Sequence, residues 1–222
     1  MSFLVLALGM SALVPVCLLR RRRFGLSYRK MLLLFLLVSA SGAIGAALGG
    51  WAGGGDLTKR RLYGLMLMDT VTLLCTRRWF GLSIAQMGDF IAAPVILGCA
   101  SAKIDCILQG CCYGMVLKPL PEAGRAIRFP SAVVELCVWA VLALVLLLLE
   151  RKKKLKGLMW PIATIAFGIL RFVVDYFRGS AGDKRPFCPG ITLGQFWSFV
   201  CFAVGVIFLV FMIVQKKKEQ EA

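Results

Sequence analysis

Long apolar runs separated by short polar connections organise this chain. Residues 2–19, 31–53, 62–76, 83–113, 129–149, 157–177 and 190–214 each read as a membrane-crossing helix. A helix needs about 20 apolar residues to cross the hydrocarbon core, so the third run is short and the fourth long. That mismatch predicts a tilted, broken or partly re-entrant segment there, where irregular backbone is tolerated only if buried in protein or facing a cavity. Long polar loops and internal repeats are absent. The pattern predicts an all-α, polytopic membrane protein with about seven transmembrane helices in a single transmembrane domain over residues 1–222.

Composition agrees with a lipid solvent: 59% of the 222 residues are apolar and the mean hydropathy is +0.82. Charge then orients the spans. Sixteen of the 27 basic residues fall at alternate connections: Arg20–Arg23 with Arg29 and Lys30, Arg77 and Arg78, Arg151–Lys154 with Lys156, and Lys216–Lys218. Basic connections stay cytoplasmic, which predicts the N-terminus outside and the C-terminus in the cytoplasm. The net charge of +16 follows from this topology and from attraction to anionic headgroups, with no nucleic-acid partner needed. The opposite connections still carry Lys59, Arg60, Arg61, Lys118, Arg125, Arg128, Arg178, Lys184 and Arg185. These are either solvated loop charges or a positive mouth suited to an anionic lipid. The first run has no basic residue before it and four arginines after it, the reverse of a secretory signal, and reads as a first span.

Polar residues inside apolar runs carry the candidate chemistry. Ala102–Gly114, AKIDCILQGCCYG, places Lys103, Asp105 and Gln109 in sequence that otherwise reads as buried. A charge there costs about 2.5–3.5 kcal/mol on insertion scales and persists mostly where it faces a cavity, a partner or a substrate. In FGILRFVVDYFRGS, spacings of four and three put Arg171, Asp175 and Arg178 on one helix face. Asp175 can then pair with both arginines and leave guanidinium donors for a phosphate. The alternative is a self-satisfied ion pair that fixes helix packing. Glu135, just after Phe129-Pro130-Ser131, is a second inward carboxylate or an interfacial one.

Nine cysteines accompany no histidine. Cys17, Cys75, Cys99, Cys106, Cys137 and Cys201 lie in or at the ends of apolar runs and read as small hydrophobes. Cys111, Cys112 and Cys188 lie nearer the outer face. No C-x-x-C pair is present and adjacent cysteines bridge each other only with strain, so neither a metal site nor a cofactor is expected. A bridge from Cys188 to Cys111 or Cys112 stays open. The lack of histidine removes the usual near-neutral general base.

Four segments in order resemble the bacterial prolipoprotein diacylglyceryl transferases. The family's D-F-I-A-P and G-R-x-G-N/C-F-x-x-G-x-x-x-G stretch looks like Asp89-Phe90-Ile91-Ala92-Ala93-Pro94, then Lys103-Ile104-Asp105-Cys106-Ile107, then Gly110 and Gly114. Its H-P-S/T-Q-L-Y-E segment looks like Phe129-Pro130-Ser131-Ala132-Val133-Val134-Glu135. Its R-F-x-x-E-F-x-R element is similar to Arg171–Arg178, and its Gly-Gln element resembles Thr192-Leu193-Gly194-Gln195.

The resemblance implies a multi-pass protein of the bacterial plasma membrane that moves the diacylglyceryl group of phosphatidylglycerol to the lipobox cysteine of a preprolipoprotein. Phosphatidylglycerol, the lipobox peptide and membrane lipids are then its partners. Taken with the polar residues above, this makes Arg171, Glu135 and Tyr63 the expected catalytic residues, and Lys103, Asp105, Gln109, Gly114, Asp175 and Arg178 the expected substrate-binding ones. The chain departs from the family at Lys103, where an arginine is usual, and at Asp105, where a glycine is usual. Tyr63 and Phe129 stand at the two motif histidines. A tyrosine can donate a hydrogen bond but, with a reference pKa of about 10, is a poor base at neutral pH. Two readings follow: a divergent transferase whose thiol proton goes to Glu135, Asp105 or water, or a catalytically silent relative that binds anionic lipid or a membrane partner. A transporter lined by Lys103, Asp105, Arg171 and Asp175 is a third, unsupported by any inverted repeat.

Overall fold

The computed structural model describes residues 15–52, 62–110, 112–120, 125–178, 186–188 and 190–221. Helices are α1 (residues 15–20), α2 (Tyr28–Ala52), α3 (Leu62–Phe80), α4 (Ile84–Leu108), α5 (Ser131–Leu149), α6 (Met159–Tyr176) and α7 (Leu193–Glu221). Five helices among the described residues, α2 and α4 to α7, are long and apolar enough to cross a membrane. The protein is an all-α polytopic membrane protein. Most of the first expected span lies outside the described residues. The short third run extends into the 19-residue α3 by taking in Arg77 and Arg78. The long fourth run ends as a helix at Leu108, ahead of Gly110, which has a φ of 60°.

The chain divides into two compact units. In Val16–Phe90, a 3-10 turn over Arg21–Phe24 leads to Gly25, whose φ of 67° suits glycine and ends the turn. Arg20 is buried there, and its guanidinium donates to the carbonyls of Asp89 and Phe90 at 2.8 and 2.7 Å. It also lies 5.5 and 5.6 Å from the Phe24 and Phe90 rings. This arginine, counted from the sequence in a basic cytoplasmic connection, satisfies backbone acceptors and packs on aromatic faces. The α4 N-terminus carries a reciprocal capping box: Gln86 N donates to Ser83 Oγ, and Ser83 N donates to Gln86 Oε1. Between α2 and α3, the Ser41 hydroxyl donates to Asp69 at 2.8 Å.

The second unit holds Ile91–Ala222. Trp139 of α5, 1% exposed, stacks on Phe167 of α6 with centroids 4.8 Å apart. Glycines let α6 and α7 approach closely: a Cβ on Gly168 would meet the Ser198 carbonyl and the Phe202 backbone, and one on Gly205 would meet Ile165. Lipid gives no hydrophobic drive between helices, so such close packing supplies the attraction. Hairpins form the links α4–α5 and α6–α7. β1 (Val116–Leu120) pairs antiparallel with β2 (Arg125–Arg128), and β3 (Pro186–Cys188) with β4 (Ile191–Thr192). The two connections are stitched together where Met115 N donates to Phe177 O at 3.0 Å and Gly114 bridges Arg178.

Substituting Gly168→Leu forces α6 and α7 apart. It is expected to lower stability by about 1–3 kcal/mol, the usual cost of overpacking, read as a lower unfolding midpoint in detergent micelles; an unchanged midpoint contradicts the close packing.

Candidate active site

Glu135 is the hub of the polar residues in the second unit. It sits one turn into α5, fully buried, and three cations from three other places in the chain converge on its carboxylate. Lys103 Nζ of α4 lies 2.7 Å from Oε2, and Arg171 Nη1 of α6 donates to the same oxygen at 3.2 Å. Arg178 Nε, just beyond the end of α6, lies 3.4 Å from Oε1. The cations are themselves largely buried, with side chains 15%, 8% and 9% exposed. One carboxylate among three cations leaves a net charge of +2 on the four side chains. In a low-dielectric site such an excess favours an anion, and guanidinium forks match phosphate oxygens.

Helix phase explains the selection. Lys103 and Asp105 are two positions apart and therefore on different faces of α4. Lys103 turns to Glu135, whereas Asp105 accepts from Gln109 Nε2, one turn on, at 2.6 Å. Asp105 and Gln109 thus satisfy each other on a separate face. Asp175, expected to pair with both arginines, makes no ion pair with either among the described residues; that position belongs to Glu135. Asp175 is fully buried and accepts the Thr192 hydroxyl at 2.6 Å. Its side chain is drawn to the N-terminus of α7, where Thr192 and Gln195 form a second capping box: Gln195 N donates to Thr192 Oγ1 and Thr192 N to Gln195 Oε1. Gly194 is required beside it, since a Cβ there would meet Asp175 Oδ1.

Gly114 has a comparable constraint. Its N donates to Phe129 O at 3.0 Å, and a Cβ would overlap the Phe129 carbonyl. The close approach holds residues 112–115 against the start of α5, with the Ser131 hydroxyl donating to Cys112 O. Arg178 also reaches this segment, with Nη2 3.7 Å from Cys112 Sγ. A cleft of about 180 Å³ opens alongside, lined by Cys106, Gly110, Cys112, Tyr113, Phe129 and Ser131 among others. The Tyr63 side chain, Cys111 and the Cys188 side chain lie outside the described residues, and with them the expected tyrosine at the base position and any bridge to Cys188.

The family model described as prolipoprotein diacylglyceryl transferase matches residues 61–211, more than half of the chain and all four members of the cation–carboxylate cluster. The chain belongs to the prolipoprotein diacylglyceryl transferase family. Relatives named phosphatidylglycerol–prolipoprotein diacylglyceryl transferase include that of Methylibium petroleiphilum, 30% identical over 59% of this chain and 51% of its own. That of Idiomarina loihiensis is 26% identical over 58% of this chain and 50% of its own. That of Clostridium tetani is 27% identical over 71% of this chain and 65% of its own. The chain therefore spans between half and two thirds of the length of these relatives.

For this prolipoprotein diacylglyceryl transferase family member, sequence reasoning named Lys103, Glu135, Arg171 and Arg178 among the site residues, and the structure joins these four. It missed the hub role of Glu135, the Asp175–Thr192 bond and the approach of Cys112 to Cys106. The Thr192-x-x-Gln195 and Ser83-x-x-Gln86 spacings were readable as capping boxes. The cysteine approach depends on a turn beyond α4 and has no periodic signal.

Neutralising the hub leaves three buried cations without their shared counter-charge. Glu135→Gln is expected to destabilise the protein by about 3–5 kcal/mol. Thr192→Val, which removes one hydrogen bond, is expected to cost about 1–3 kcal/mol. Unfolding titrations in micelles check the ranking; the reverse order contradicts Glu135 as the hub.

Proposed function

We propose that this family member moves the diacylglyceryl group of phosphatidylglycerol onto the thiol of a lipobox cysteine in a preprolipoprotein, at the outer face of the bacterial plasma membrane. The observation that carries the reading is the convergence of Lys103, Arg171 and Arg178 on the buried Glu135 carboxylate. The substrate thiol attacks the glyceryl carbon bonded to phosphate oxygen. A C–S bond forms, the C–O bond breaks, and glycerol phosphate departs with the electron pair. Negative charge grows on that leaving group, and preorganised cations stabilise it most where water is excluded. Glu135 positions the three cations. The thiol proton passes to a carboxylate or to water, since the chain has no histidine. The names of the relatives support the substrates, and the excess of basic residues in the opposite, cytoplasmic connections supports the orientation.

A second reading draws on two observations: Glu135 is engaged by three cations, and no histidine is available as base. The same cluster then holds an anionic lipid headgroup without group transfer.

Mass spectrometry separates the two. A lipobox peptide is incubated with the purified protein in phosphatidylglycerol-containing membranes, beside an Arg171→Ala variant and a Lys103→Ala, Arg171→Ala double variant. The transferase reading predicts a diacylglyceryl increment on the peptide cysteine, with the rate falling by about 10²–10³-fold in Arg171→Ala, the scale for loss of one charge-stabilising donor. No increment, with phosphatidylglycerol still bound, overturns transfer in favour of lipid binding.

A further inference from the structure

Cys106 and Cys112 approach each other beside the cation cluster. Cys106 lies in the last turn of α4, and Cys112 follows the Gly110 turn. Their sulfurs are 3.4 Å apart, in thiol–thiol hydrogen-bonding contact. That is close enough for a small side-chain rotation to reach the bonded distance of about 2.05 Å. Both are partly exposed and both line the open cleft. Arg178 donates to the Cys112 sulfur, and a guanidinium beside a sulfur stabilises the thiolate, the form that attacks. Cys112 is also the one non-glycine residue with positive φ among the described residues, at 60°. Its carbonyl is held by Ser131. A side chain kept in a sparsely populated backbone conformation by surrounding bonds is typical of a functional position. The other described cysteines lack this combination: Cys75 and Cys137 are exposed on helices, Cys99 is buried, Cys17 and Cys201 are half-buried, and none of the five has a positive φ.

We propose that Cys112 and Cys106 form a thiol–disulfide exchange site, with Cys112 attacking and Cys106 resolving, whose substrate is the disulfide of a cysteinyl peptide. The Cys112 thiolate attacks one sulfur of R–S–S–R′, giving the mixed disulfide Cys112–S–S–R and releasing R′–S⁻. Cys106, giving its proton to that leaving thiolate, then attacks the Cys112 sulfur. The Cys106–Cys112 disulfide forms and R–S⁻ leaves. The dithiol is oxidised by two electrons, the peptide disulfide is reduced to two thiols, and an external dithiol reductant restores the pair by the same exchange in reverse. The identity of the peptide rests on the transferase reading: a lipobox cysteine blocked as a disulfide cannot accept a diacylglyceryl group, and exchange here unblocks it beside the phosphate site.

The test uses the full chain in lipid nanodiscs, reduced and then exposed to glutathione disulfide, with intact and peptide-level mass spectrometry. The wild-type chain is expected to lose two hydrogens as a Cys106–Cys112 disulfide and to retain no glutathione, a result that needs no variant to fold. Cys106→Ser is expected to retain one glutathionyl group at Cys112, and Cys111→Ser to behave as wild type. Adducts at Cys111, Cys75 or Cys137 with Cys106 and Cys112 still reduced overturn the proposal. A second arm offers the lipobox peptide as its mixed disulfide with glutathione, with phosphatidylglycerol present. Release of glutathione without lipid on the peptide supports exchange and removes the transferase reading alone. Lipid on the reduced peptide, with the disulfide form left intact, removes exchange alone.

Discussion

The arrangement depends on one buried carboxylate. Glu135 sits where an isolated charge would be prohibitively costly, and it is retained because Lys103, Arg171 and Arg178 arrive from α4, α6 and the segment after α6. The converse holds for the cations, which are too deeply placed to be solvated and too close together to coexist without a counter-charge. One carboxylate shared by three cations binds the elements together, with a net charge of +2 on these four side chains. That excess on the four side chains is the ground on which binding of an anionic group is proposed.

Around that hub the fold works by close approach. Gly168 and Gly205 bring α7 against α6, Gly194 makes room for Asp175, and Gly114 lets residues 112–115 lie against Phe129. Each position is one where a single Cβ would push an element away. Thr192 couples this packing to polar chemistry: its hydroxyl accepts from the α7 N-terminus and donates to Asp175, so α6 and α7 are fixed relative to each other near Arg171 and Arg178. Arg178 extends the same network to the Cys112 sulfur, and Cys112 and Cys106 both line the cleft beside it.

Much of this was legible in the sequence because lipid imposes simple rules. Apolar runs located α2 and α4 to α7, and isolated charges in those runs marked Lys103 and Arg171 as inward-facing. Periodicity also put Arg171, Asp175 and Arg178 on one face. It could not say which carboxylate the arginines would choose, because that depends on Glu135 of another helix and on Thr192 drawing Asp175 away. Asp105 and Gln109 were grouped with Lys103 as polar residues of one apolar stretch; a separation of two puts Asp105 on a different face from Lys103, where Gln109 is its partner. Arg20 was read as a loop charge, whereas it closes on the backbone of Asp89 and Phe90, some seventy residues on. Contacts of that range, like the meeting of Cys106 with Cys112 across a turn, leave no periodic trace.

The central claim is that Lys103, Arg171 and Arg178, organised by Glu135, hold the phosphate of an anionic lipid. Native mass spectrometry of protein released from nanodiscs with equal phosphatidylglycerol and phosphatidylcholine tests it most directly. The account predicts selective retention of phosphatidylglycerol by the wild-type chain, lost in Arg171→Gln and Arg178→Gln variants that remain folded. Equal retention of both lipids, or selectivity unchanged in both variants, would contradict it.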